Sequence, residues 1–148
     1  MIENKINIIL NYFKVGDFKY VIKETIKLSN KNPNNSYLKN LLGLAYLETG
    51  AKIQAVENFS LAIKLNPKNI SALNNLGNAF KYLNKYEQSE KFYLRALNLN
   101  PNFIDALNNY GNLKYNINQP YEAITLLNKA LSINEKNYKA AYNLALVY

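Results

Sequence analysis

The chain has 148 residues, a formal net charge of +8, and neither cysteine nor histidine. Disulfides, thiolate chemistry, nearly every transition-metal site and the commonest general base are thereby excluded, and no apolar run of about 18 residues is present to span a bilayer. The basic excess is almost all lysine, with Arg95 the only arginine, and it thins toward the C-terminus. A nucleic-acid reader concentrates charge on one face and uses arginine for bidentate contacts, so neither nucleic acid nor a membrane is an expected partner. The abundance of Asn, Lys, Ile and Tyr fits an AT-rich coding bias, which makes the charge a weak guide. The opening MIENKINIIL is too short in its apolar part for a signal segment and carries Glu3, so a soluble, cytoplasmic protein is expected.

Punctuation recurs at a fixed interval. Leu42-Gly43, Leu76-Gly77 and Tyr110-Gly111 are 34 residues apart, as are Pro33, Pro67 and Pro101, each preceded by Asn. A period of this size means stacked supersecondary units rather than one globular core. Residues 2–35 form a degenerate first unit, in which Gly16-Asp17-Phe18 marks a turn between two helices and Asn32-Pro33 closes the unit. Here Ile9, Val21 and Leu28 stand where later units have small residues. These branched side chains are expected to spread the first helix pair. Residues 36–69 carry Leu42, Gly43, Tyr46, Gly50, Ala55, Phe59, Ala62 and Pro67.

In residues 70–103, Leu73, Leu76, Gly77, Phe80 and Leu83 make one helical stripe. Asn84-Lys85 interrupts it, and Tyr86, Ser89, Tyr93, Ala96 and Leu97 make a second stripe, which Asn98–Pro101 ends because proline cannot continue a helix. The unit reads as two antiparallel helices joined by a short turn. Gly77, Ser89 and Ala96 lie on the apolar stripes where bulk would be expected, which lets the helices approach closely. Residues 104–137 repeat the pattern with Leu107, Tyr110, Gly111, Ala123, Leu127 and Ala130, but with Glu135 in place of the closing proline. Residues 138–148 match one helix only, with Ala141, Leu144, Ala145 and Tyr148 on its stripe and Tyr142, Leu146 and Val147 leaving its outer side apolar. Two readings of this end stand side by side: an N-terminal piece of a longer protein, or a lone last helix closing the array. An apolar end of this kind also offers a surface for self-association between copies.

These motifs, in three consecutive units and across essentially the whole chain, resemble the tetratricopeptide repeat (TPR). The resemblance implies an all-α fold, a right-handed superhelical solenoid of antiparallel helix pairs with about nine helices in a single array over 1–148. The related pentatricopeptide RNA binders run at a longer period. It also implies that one face of each first helix lines a concave groove. That face carries Asn40 in the second unit and Ser71, Asn74, Asn75, Asn78, Lys81 and Tyr82 in the third. The fourth contributes Asp105, Asn108, Asn109, Asn112, Tyr115 and Asn116, and the fifth Lys139 and Asn143. Carboxamides both donate and accept, and a ladder of them suits an extended peptide, which offers amide groups every ~3.3 Å.

Two sub-patterns of the family bear on the ligand. The carboxylate clamp of chaperone-binding members corresponds to Asn74, Asn78, Asn109, Lys139 and Asn143, where two Asn and one Lys match and two of the three charged grips are missing. The Asn ladder of O-linked N-acetylglucosamine transferases corresponds to Asn7, Asn75, Asn109 and Asn143, and Leu41 breaks it. No phosphate loop and no nucleophile–base pair occurs, and Glu87 and Glu90 read as solvated surface charges. A non-enzymatic scaffold that binds an extended peptide or partner helix is therefore expected, with no cofactor and no metal. The alternative is the substrate-recruiting arm of a larger enzyme such as an O-linked N-acetylglucosamine transferase-like glycosyltransferase. The bland explanation of the Asn-rich face, a solvated surface in an Asn-rich protein, stays open beside both.

Overall fold

The computed structural model describes residues 2–148. Among them run nine helices and no strand: α1 (Ile2–Lys14), α2 (Phe18–Lys31), α3 (Ser36–Glu48), α4 (Lys52–Leu65), α5 (Ile70–Tyr82), α6 (Tyr86–Leu99), α7 (Ile104–Asn116), α8 (Pro120–Ile133) and α9 (Tyr138–Val147). Local chemistry explains the boundaries. Within each pair the turn needs one residue in the left-handed region, supplied by Gly16 (φ 81°), Gly50 (φ 79°), Asn84 (φ 58°) and Asn118 (φ 60°). Asparagine is the side chain that tolerates this region best after glycine. Asn35, Asn69 and Asn137 cap α3, α5 and α9 by accepting from the backbone N–H three residues on, at 3.1, 3.0 and 2.9 Å. Between pairs, the side chains of Asn66, Asn100 and Asn134 each accept from the N–H two residues on, at 3.0–3.1 Å. The third of these turns forms without a proline, which is why Glu135 is tolerated where Pro67 and Pro101 stand earlier. Much of the asparagine content thus has a local task.

Each pair closes over its glycine. A Cβ on Gly43 would lie 2.6 Å from the Phe59 ring, one on Gly77 2.6 Å from the Tyr93 ring, and one on Gly111 2.8 Å from Leu127. The glycine of the first helix makes room for the large side chain of the second, and Phe59, Tyr93 and Leu127 are fully buried. Ser89 adds a buried hydrogen bond, its Oγ donating to the Gly77 carbonyl at 2.7 Å. In the first pair the sizes are exchanged. Ile9 stands at the glycine position and Thr25 at the position of the large residue, and both are buried. The backbones of α1 and α2 approach each other at fewer points than those of the later pairs, in line with the expected spreading. A cleft of about 370 Å³ opens between them, floored by Ile8, Ile9, Tyr20 and Leu28.

The pairs stack so that α3 touches α5, α5 touches α7 and α7 touches α9, whereas no two even-numbered helices are in comparable contact. Helices converge on the inside of a curve and fan apart on the outside, so the odd-numbered helices form the inner layer. At the far end α9 packs on α7 and α8 alone. It buries Ala140 and Asn143 and leaves Ala141, Ala145 and Tyr148 exposed. These last three were expected on its packed stripe. They occupy the positions that, in earlier units, face the second helix of the same pair.

Candidate functional site

The inner face of α3, α5, α7 and α9 carries all the residues predicted for the groove, and the structure divides them into two groups. Asn40, Asn74, Asn108, Asn109 and Asn143 are buried, each less than a tenth exposed. Tyr82, Tyr115 and Lys139 are exposed, and Asn75, Asn78, Lys81 and Asn112 are half-buried. The buried group is occupied by the chain itself. Asn75 Nδ2 donates to Asn40 Oδ1 at 3.0 Å, and Asn109 Nδ2 donates to Asn74 Oδ1 at 3.0 Å. Each bond ties one first helix to the next, so these carboxamides act as clasps between units. Asn108 donates to Asn137 Oδ1 at 3.3 Å, and its own Oδ1 is buried without a partner. Asn78 accepts from the Tyr93 hydroxyl at 2.6 Å.

Two lysines converge over α7. Lys81 on α5 donates to Asn112 Oδ1 at 3.0 Å, and Lys139 on α9 donates to Asn109 Oδ1 at 2.9 Å. Asn109 and Asn112 are one turn apart on α7 and therefore share a face. Burial, with the charge of Lys139 as a second cause, pulls the Lys81 ammonium down to about 8. On the other side of α5 a pocket of about 360 Å³ lies against α3, lined by Leu44, Leu47, Glu48, Lys52, Asn75, Asn78 and Tyr82. The inner face is therefore apolar toward α3 and cationic toward α7 and α9.

A polar cluster that the sequence pattern did not reveal joins α6, α7 and α8. Lys114 is 5 % exposed and pairs with Glu90 at 2.7 Å and Glu122 at 2.8 Å. It also donates to Gln119 Oε1 at 2.8 Å, and its ammonium lies 5.2 Å from the centre of the Tyr110 ring. The Tyr110 hydroxyl donates to Glu90. Burial disfavours the Lys114 ammonium, but its hydrogen bonds to Glu122, Glu90 and Tyr110 outweigh this and hold its pKa above the ordinary value. The same bonds, from Lys114 first and Tyr110 second, hold the Glu90 carboxyl below its ordinary range. Glu90 is thus a partnered, half-buried carboxylate and not the solvated charge expected, while Glu87 is exposed. The signal was present in the sequence. Lys114 stands inside an apolar stripe, where the earlier units have Tyr46 and Phe80.

The fold and this inner face define an all-α solenoid of stacked antiparallel helix pairs. The chain belongs to the tetratricopeptide repeat family: tetratricopeptide repeat models match residues 70–103 and 92–125, and a TPR repeat model matches residues 43–83. No curated protein matches it in sequence. Among solved structures it is similar to TTC0263, a thermophilic TPR protein of Thermus thermophilus, at a TM-score of 0.91 and 17 % identity, covering 100 % of this chain and 81 % of that one. It is similar to PilF of Pseudomonas aeruginosa at a TM-score of 0.89 and 20 % identity, covering 99 % and 67 %. It is also similar to the first TPR of Spaghetti (RPAP3), solved bound to the HSP90 peptide SRMEEVD, at 0.73 and 19 %, covering 76 % and 90 %. No helix is long and apolar enough to cross a membrane. Among the described residues no group of three or more His, Cys, Asp or Glu could hold a metal ion.

Proposed function

We propose that this protein is a non-catalytic interaction scaffold that holds an extended segment of a partner protein across the inner face of α3, α5, α7 and α9. The observation that carries this reading is the exposure of Tyr82 and Tyr115, at 52 % and 39 %, on the same face as the Leu44–Leu47 pocket. Tyrosine gives a large contact area at small cost in side-chain entropy, and apolar groups beside exposed amides are what an extended backbone with alternating side chains needs. The similarity to a TPR solved with a bound peptide supports the same reading. The clasped carboxamides of Asn40, Asn74 and Asn109 form the floor of the groove and keep the units in register.

A library of random 12-residue peptides displayed on phage, selected on the immobilised protein, tests this. Selected peptides should bind the wild type and lose binding to the Tyr82→Ala/Tyr115→Ala variant. They should keep binding to Tyr121→Ala, whose side chain is 85 % exposed on α8 in the outer layer. Peptides lost with Tyr121 and kept without Tyr82 and Tyr115 would overturn the reading.

A second reading concerns the far end of the array. Tyr138, Tyr142 and Tyr148 on α9 are 84, 66 and 85 % exposed, and this aromatic face favours contact between copies. Sedimentation of the wild type and of Tyr138→Ser/Tyr142→Ser across a concentration series checks it: a shared monomer profile removes the idea.

A further inference from the structure

Lys81 and Lys139 are cations without anions. The ion pairs among the described residues join Lys27 to Glu24 and Lys114 to Glu90 and Glu122; neither inner-face lysine takes part in one. Each instead rests its ammonium on a neutral carboxamide oxygen of α7, from opposite sides, at 3.0 and 2.9 Å. Lys81 is half-buried, so part of its hydration has been given up with no opposite charge to replace it. Two like charges held over one helix repel each other, and burial strengthens that repulsion. Such a pair gains most from an anion that enters between the two. The residue pattern also differs from the family's carboxylate clamp, in which Lys81 has no counterpart. Its position next to Tyr82 made it legible only as part of a polar stripe.

The rest of the groove sets what such an anion would be attached to. The pocket between α3 and α5 has Leu44 and Leu47 as its apolar lining and Glu48 beside them. Glu48 repels a carboxylate there, so that pocket selects an apolar side chain. Packed helices lie about 8–10 Å apart. The pocket midway between α3 and α5 is then roughly 12–15 Å from the lysines over α7, a span of about four extended residues at ~3.3 Å each.

Resting on the groove reading above, we propose that Lys81 and Lys139 together form a receptor for the carboxylate side chain of an Asp or Glu in the bound segment, about four residues from an apolar side chain seated between α3 and α5. The lysines reach in from both sides of α7 and bracket a chain that crosses the helix, which suits an acidic side chain within the segment. The step is binding alone; no bond is made or broken.

The experiment uses the full protein and the 12-residue peptides selected on it. Enriched sequences should share an Asp or Glu three to five residues from a large apolar residue. In a synthetic peptide from that pool, changing the acid to its amide should weaken binding to the wild type by about tenfold or more, as expected for a charge-assisted hydrogen bond. The Lys81→Met/Lys139→Met variant should bind the acid and amide peptides equally, and Lys81→Arg/Lys139→Arg should restore the preference. Helicity measured by circular dichroism confirms that each variant is folded. Enrichment without an acidic position, or a preference that survives in the double Met variant, overturns the proposal and leaves the groove reading standing. A preference only for a free C-terminal carboxylate also overturns it. Failure to enrich any peptide removes the groove reading and the proposal together.

Discussion

The hydroxyl of Tyr93 donates to Asn78 Oδ1 at 2.6 Å, while its ring lies over Gly77, where a Cβ would approach Cε1 to 2.6 Å. One side chain thus fills the core of a helix pair and orients a carboxamide on the inner face. The packing that makes the fold and the surface that meets a partner are joined at this residue.

Gly77→Ala should therefore destabilise the protein by about 1–3 kcal/mol, because the buried Tyr93 ring has no room to withdraw. Tyr93→Ala alone should cost about 3–5 kcal/mol, as a large aromatic truncation in a core does. In the double variant the new methyl enters the space that the ring vacates, so the combined cost should be less than the sum of the two. Urea unfolding midpoints for the four proteins check this coupling; additive costs would mean that Gly77 does not serve Tyr93.

The first helix pair should behave in the opposite sense. Ile9→Gly leaves a cavity and should cost about 2–5 kcal/mol. Adding Thr25→Phe, which restores the size pairing of the later units and removes a buried hydroxyl lacking a partner, should recover part of that loss. Thermal unfolding of the single and double variants measures it. No recovery would show that Ile9 and Thr25 are not a matched pair.

Acid should act through Glu90. Its carboxyl titrates below the ordinary 4.5 because Lys114 and Tyr110 bond it. The unfolded chain therefore takes up its proton first as pH falls. The resulting stabilisation is complete above about pH 4.5 and is lost as pH drops through the folded value. Glu90→Gln should flatten this part of the stability curve between about pH 6 and 3. A curve of unchanged shape would assign acid lability to other carboxylates.

Lys81 should act at the alkaline end with the opposite sign. Folding holds it at about 8, below its ordinary 10.5, so above about pH 8 the unfolded state keeps a proton that the folded state has released, and stability rises with pH. The rise should be visible between about pH 8 and 9.5. Higher up, Tyr93 and Tyr110, both pushed above their ordinary value of 10 mainly by burial, begin to oppose it. Lys81→Met should abolish the rise in thermal midpoint, whereas Lys139→Met should reduce it by removing the neighbouring charge.

The helices, the period, the turn residues and the glycine positions were all legible in the chain, because each depends on residues within one unit. Proline and asparagine stop helices locally, and a stripe of Leu73, Leu76 and Phe80 needs only the helical period to face one way. The fate of the inner-face side chains was not legible in this way. Spacing put Asn40, Asn74, Asn75 and Asn109 on one face but did not reveal that they bond one another across units. Lys114 and Glu90 stand 24 residues apart in the chain and meet only where α7 crosses α6. Lys81 and Lys139 come from helices two units apart, and stacking alone brings them over α7. Patterning within a unit determined the solenoid. Stacking between units decided which polar groups remain free, since a side chain's hydrogen-bonding capacity is consumed by the neighbours that the tertiary structure supplies.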